Sequence, residues 1–180
     1  MGLAMEAVAP GIVEDAAAEV KAWLRIETAQ DDAAIAALVR SAIGAAEDYC
    51  AQTLFLRGGK EVLAATGDWM RLRACPVASI TAARGLPADG ASFVLVSDAW
   101  SVDIGADGDG WVRVRRPGAA GRVEVDLTAG MAADWAGLSD GLRQGIVRLA
   151  AHLFAQQDAG EPVPAIVSAL WRPWRRMRIV

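Results

Sequence analysis

The hydrophobic pattern of this chain changes period twice, and those two changes constrain its fold more than any other feature. Up to about residue 57, apolar side chains recur every three or four residues, the repeat of helices with one buried face. Val13, Ala16, Val20, Trp23 and Leu24 form a short stripe over 14–24. Ile35, Leu38, Val39, Ala42, Ile43, Ala46, Tyr49 and Cys50 form a longer one, and Asp31 and Asp32 before it offer carboxylates suited to a helix start. Gly58 and Gly59 close that region, and from Glu61 to Leu127 the period falls to two. Short strands are expected at 61–65, 69–73, 77–83, 92–97, 100–104, 111–115 and 122–127, separated by turns rich in Gly, Pro and Asp.

Beyond Ser139 the helical repeat returns through Leu142, Ile146, Leu149, Ala150, Leu153 and Phe154, capped by Ser139 or Asp140 and reaching about Gln157. Gly145 weakens this helix by about 1 kcal/mol relative to Ala. Pro164 opens a short helix through Leu170, Pro173 interrupts it, and an extended arm follows. The expected fold is therefore α+β, a bundle of about four helices interrupted by an antiparallel β subdomain and ending in an arm. The divisions are a flexible 1–12, helices in 13–57, a β insertion over 58–130, helices of the same bundle in 131–170 and a basic arm over 171–180. Within the insertion, Arg113 and Arg115 alternate with Val112 and Val114, as Glu124 and Asp126 do with Val123 and Val125. If those segments pair, cations meet carboxylates at about 0.2–1 kcal/mol per pair.

A chain of 180 residues holds one core, or one core with an insertion. Its 54% apolar content contains no run of the roughly 20 residues that span a bilayer. The surplus is buried in protein, within the subunit or between subunits, and the seven Trp fit either use. Cys50 and Cys75 lack paired spacing and His152 is the single His, so neither a zinc site nor a disulfide framework is expected, and no other metal or cofactor. The first ten residues lack a basic start and a long apolar segment, which favours retention in the cytoplasm. A net charge of −4 argues against a general nucleic-acid binder. Acids crowd the first third, whereas Arg172, Arg175, Arg176 and Arg178 form a basic end.

His152 sits on a helix beside Leu149 and Leu153, where a packed histidine is far commoner than a catalytic one, so no catalytic residue is assigned. Asp103, Asp107 and Asp109 lack the spacing of a calcium loop, since Gly105 and Val114 stand at ligand positions, and Gly59-Lys60 lacks the upstream Gly of a phosphate loop.

In order and spacing the chain resembles the head-tail connector, or adaptor, family of tailed bacteriophages and of gene-transfer particles derived from them. The resemblance rests on Lys21-Ala22-Trp23-Leu24-Arg25-Ile26, the paired acids Asp31-Asp32, Glu47-Asp48-Tyr49 and the Leu127-Thr128-Ala129-Gly130 turn. It continues through the 142–154 helix into Pro164-Ala165-Ile166-Val167 and Leu170-Trp171-Arg172-Pro173-Trp174-Arg175-Arg176. Ser139, where members often carry Pro, and Gln156-Gln157, where an Arg is usual, depart from it.

The resemblance implies a structural, non-enzymatic protein. It would form a ring of copies, dodecameric in the particle with the isolated protein free to be monomeric, between the portal protein and a stopper or tail-completion protein. DNA would cross the lumen only in transit, and no membrane is involved. Assembly is expected in the bacterial cytoplasm, with the final place at the head-tail interface. The resemblance implies Trp171, Arg172, Trp174, Arg175, Arg176 and Arg178 as the portal-binding residues, and Trp and Arg are also the residues most often found as interface hot spots. The arm could instead fold back over its own acidic helices. Asp31, Asp32, Glu47 and Asp48 are expected at the contact between subunits. The alternative function is a regulatory nucleic-acid binder that uses the arginine arm.

Overall fold

A computed structural model describes residues 2–156 and 162–176. The chain forms two compact units, one of Val8–Phe55 with Ala132–Val180 and the other of Leu56–Met131 with Met1–Ala7.

The first unit is helical, with α1 (Pro10–Leu24), α2 (Asp32–Cys50), α3 (Asp140–Ala155) and α4 (Ala165–Trp171), the last continued by a 3₁₀ turn over Arg172–Trp174. Helix α1 starts one turn earlier than the apolar stripe suggests, because Pro10 brings the φ that a first helical residue needs. Helices α1 and α2 both stop on a left-handed residue, Arg25 and Ala51, whose N–H groups turn back to the Ala22 and Asp48 carbonyls. Val20, Ile35, Val39, Ala42, Ile43, Leu142, Ile146 and Val167 fill the core, while Leu153 and Phe154 at the end of α3 are only half-buried. Glu19 ties three segments together, accepting from Trp135 Nε1 at 2.8 Å and Gln144 Nε2 at 3.1 Å. Where the chain leaves the unit and returns, the Ala132 N–H donates to the Leu54 carbonyl at 3.0 Å and Phe55 stacks on Trp135. No helix among the described residues is long and apolar enough to cross a membrane.

The second unit holds β1 (Leu3–Met5), β2 (Arg57–Ala64), β3 (Trp69–Arg71), β4 (Val77–Pro87), β5 (Phe93–Val94), β6 (Trp100–Ile104), β7 (Gly110–Val114) and β8 (Ala120–Ala129). They form a five-stranded sheet of order β1-β2-β8-β4-β5 and a three-stranded sheet of order β3-β7-β6, antiparallel throughout. Leu63, Leu72, Val77, Val112, Val114, Val123, Val125 and Leu127 belong to their common core.

Three sequence expectations are corrected here. Of the expected flexible lead over 1–12, the described residues 2–12 are structured, because Leu3–Met5 adds a strand to β2 and Pro10 already begins α1. Gly58 and Gly59, expected to close the helical region, lie within β2, where they admit that strand: a Cβ at Gly59 would stand 2.4 Å from Met5 Sδ. The segments around Arg113 and Glu124 do not pair, since β7 and β8 belong to different sheets. Period-two alternation fixes which face a side chain takes, not which strand lies beside it. Glu124 and Asp126 on the central β8 instead meet Lys60 of β2 and Arg84 of β4, with Arg84 Nη1 2.5 Å from Asp126 Oδ2 and Lys60 Nζ 3.2 Å from Glu124 Oε1. Glu61 is 1% exposed, and both its carboxylate oxygens accept from the Arg73 N–H.

Gly145 has a packing reason that helix propensity alone hides. A Cβ there would lie 2.0 Å from Trp171 Nε1, so the indole of α4 rests directly on the α3 backbone. Gly145→Ala should therefore lower stability by about 1–3 kcal/mol through overpacking, against the helix gain of about 1 kcal/mol. Thermal denaturation followed by circular dichroism would show a lower midpoint, and a raised one would refute the contact.

Candidate functional site

The C-terminal residues expected to form a free arm fold against the end of α2 as far as Arg176. Trp171 is the last residue of α4 and only 3% exposed. Its Nε1 donates to the Leu142 carbonyl at 3.4 Å, and its ring lies 5.9 Å from that of Tyr49, tilted by 53°. The Tyr49 hydroxyl in turn donates to the Ser168 carbonyl at 3.3 Å. Pro173 does not end the helical path, which tightens into the 3₁₀ turn. Beyond it the Trp174 carbonyl accepts from Gln52 Nε2, and the Arg176 N–H donates to the Cys50 carbonyl at 2.9 Å. The Arg175 guanidinium sits 5.6 Å from the centre of the Tyr49 ring, a cation-π contact.

These bonds serve a defined need. The last carbonyls of a helix have no partner within it and carry partial negative charge, so a backbone donor and nearby cations stabilise them. Among the expected portal-binding residues, Trp171 is thus a core residue, which corrects its placement in an arm. Trp174 and Arg176 are half-buried, Arg172 and Arg175 are exposed, and Arg178 lies outside the described residues. A chain cut before Trp171 would lose part of its core.

The four acids expected at one subunit contact have separate surroundings. Asp32 binds Lys21 Nζ, and Glu47 Oε1 accepts the Leu54 N–H at 2.8 Å, closing the turn that follows α2. Asp31 occupies the cap position of α2 through its backbone carbonyl, without a side-chain cap, and Asp48 is exposed. Asp31 and Asp48 lie near opposite ends of α2, about 25 Å apart along its axis at 1.5 Å per residue.

His152 bonds to Gln156 Nε2 at 2.8 Å and lines a groove with Trp23, Arg148, Pro164 and Ile166, in which no carboxylate or hydroxyl side chain among the described residues takes part. Arg148 covers the exposed Trp23 ring at 5.0 Å. The turn between β6 and β7 uses its acids internally: Asp107 accepts the Asp109 N–H, and Asp109 binds Arg71. Among the described residues, no three metal-ligating side chains gather. Burial raises the Cys50 thiol to about pKa 11, and its Sγ lies 3.9 Å from the Trp171 carbonyl, beneath the C-terminal segment.

The profile of the phage gp6-like head-tail connector protein family matches residues 17–75. Solved structures match the chain over its whole length. One, from the neck of an empty gene transfer agent particle computed with C6 symmetry, is 31% identical, with a TM-score of 0.80, over 100% of this chain and 98% of that one. A second, from the neck of the native particle computed with C12 symmetry, is 30% identical with a TM-score of 0.78 and the same coverage. A third, from the virion of the native particle, is 31% identical with a TM-score of 0.75. No curated protein matches the chain by sequence.

The Cys50 thiol reports on the segment above it. In the full chain at pH 8, three units below its pKa, Cys50 should resist a thiol-reactive dye. A chain ending at Leu170 should react readily and unfold at a clearly lower temperature, because removing a buried Trp costs about 3–5 kcal/mol. A chain ending at Arg176 should behave as the full chain does. Equal labelling and equal melting of all three would refute the docked segment.

Proposed function

Because the chain belongs to the phage gp6-like head-tail connector family and is a structural connector of a phage-like particle, we propose that it forms the ring joining the portal to a tail-proximal stopper. The observation that carries this reading is the end-to-end likeness, over 100% of this chain and 98% of the relative, to a protein of a gene transfer agent neck. The C6 and C12 symmetry of those necks supports a ring of twelve copies, through whose lumen DNA passes in transit. Copies made in the bacterial cytoplasm join the particle at its head-tail interface. The protein acts by shape and adhesion and performs no catalysis.

The portal anchor is the cationic rim left exposed once Trp171 is buried: Arg172 and Arg175, flanked by Trp174 and Arg176, with Arg178 beyond. Trp171 supports this rim from beneath. Neither the family nor the structural relatives support the alternative of a regulatory nucleic-acid binder.

A pull-down of the portal protein of the same particle tests the anchor. Full-length Arg172→Glu/Arg175→Glu should bind the portal at least about tenfold more weakly, the scale of a lost hot spot. Its melting midpoint should fall only slightly, because both side chains are exposed and losing the Arg175 contact with Tyr49 costs about 0.5–1 kcal/mol. Undiminished binding by this variant would move the anchor elsewhere, and binding by neither protein would remove the portal from the list of neighbours.

A further inference from the structure

One face of the three-stranded sheet carries cations that its own strands do not all neutralise: Arg113 and Arg115 make no ion pair among the described residues. Register places Trp69 opposite Arg113 and Arg71 opposite Trp111, all pointing away from the buried Val112 and Val114. Arg115 continues the same alternation and is exposed, and Trp69 is 42% exposed. On the third strand the face carries Ser101 opposite Arg113 and Asp103 opposite Trp111. Arg71 is already held by Asp109, and Arg113 is steadied by its Nε donating to the Gly67 carbonyl at 2.7 Å. The five-stranded sheet is arranged otherwise, since Lys60 and Arg84 there are matched by Glu124 and Asp126. Trp side chains beside Arg113 and Arg115, two arginines without an ion pair among the described residues, have the composition of an interface centre.

We propose that this face is one side of the contact between copies in the ring, and that its occupant is the acidic surface of α1 and α2 on a neighbouring copy. The inference rests on the ring reading above. A ring closes through a heterologous contact, in which one face of a subunit meets a different face of the next. The complementary chemistry is present in the same chain. Glu14 and Asp15 on α1 are exposed and make no ion pair among the described residues. Beside Glu14 a groove of about 420 Å³ between α1 and α2 is lined by Ala17, Ala18, Ala33 and Ala36, apolar ground for an indole, and by Lys21 and Asp32, which pair with each other. Duplex DNA is the poorer occupant, because its phosphates recur every 1.7 Å and call for many more cations than Arg113 and Arg115 supply.

Purified particles carrying Ala18→Cys together with Arg115→Cys, both exposed positions, test the contact through a short bismaleimide cross-linker. A ladder of covalently joined copies is expected, absent when either cysteine is introduced alone. Particles that contain the connector yet give no ladder would overturn this contact while leaving the connector reading intact; particles that lack it would bring the variant's assembly into question, so Arg113→Glu/Arg115→Glu serves as the second variant. That charge reversal should cut connector copies per particle about tenfold or more, and adding Glu14→Arg/Asp15→Arg should restore them. Normal incorporation of the reversed variant would overturn the proposal. A mobility shift of duplex DNA by the parent, abolished in Arg113→Glu/Arg115→Glu, would also overturn it and assign the face to phosphate.

Discussion

The helical unit depends on one indole. Trp171 lies on the Cα of Gly145, bonds to the Leu142 carbonyl and tilts against Tyr49, so a single side chain fixes α4 to both α3 and α2. A short helix of this length has too few internal bonds to persist alone and takes its stability from packing. With Trp171 in place, the following residues are brought over the end of α2, where the Arg176 N–H and the Gln52 side chain complete the polar accounting. The absence of a side chain at residue 145 is what allows that approach. Helix propensity is given up there for a tertiary contact of larger value.

The β unit is organised by a different economy of charge. Its central strand β8 carries Glu124 and Asp126 on one face and Val123, Val125 and Leu127 on the other. A carboxylate pair in mid-sheet is tolerable because the flanking strands bring Lys60 and Arg84 to it, and cross-strand opposite charges stabilise by a few tenths to about 1 kcal/mol. Glu61 points to the other side and is buried, where its two oxygens hold the Arg73 N–H at the exit of β3. A buried carboxylate survives only with such donors, so the bend after β3 and the identity of residue 61 depend on each other.

Much of the architecture was legible because periodicity and turn chemistry act locally. The stripe from Ile35 to Cys50, the stripe from Leu142 to Ala150 and the Gly- and Asp-rich turns each report on their own segment, and the α+β order followed from them. What escaped was set by contacts distant in sequence. Leu3–Met5 is too short to show a pattern and becomes a strand only because β2 offers an edge and glycines. The partners of Glu124 and Asp126 lie in β2 and β4, some 40 to 66 residues away, and no alternation along β8 could name them. At the C-terminus, composition was read as reach: Trp and Arg suggest an interface, yet Trp171 is spent inside. The signal that could have separated them was spacing, since Trp171 falls one helical turn after Val167, itself buried.

That use of Trp171 bears on how a connector meets its neighbours. A subunit that completed its core only on the portal would draw on the binding energy to fold, and its affinity would fall by the cost of ordering that segment. Here the helical unit closes on itself through Arg176, so the arginines at its surface are held on a finished scaffold before any partner arrives. Any contact that Arg172 and Arg175 make with a partner then carries no cost of ordering the segment beneath them.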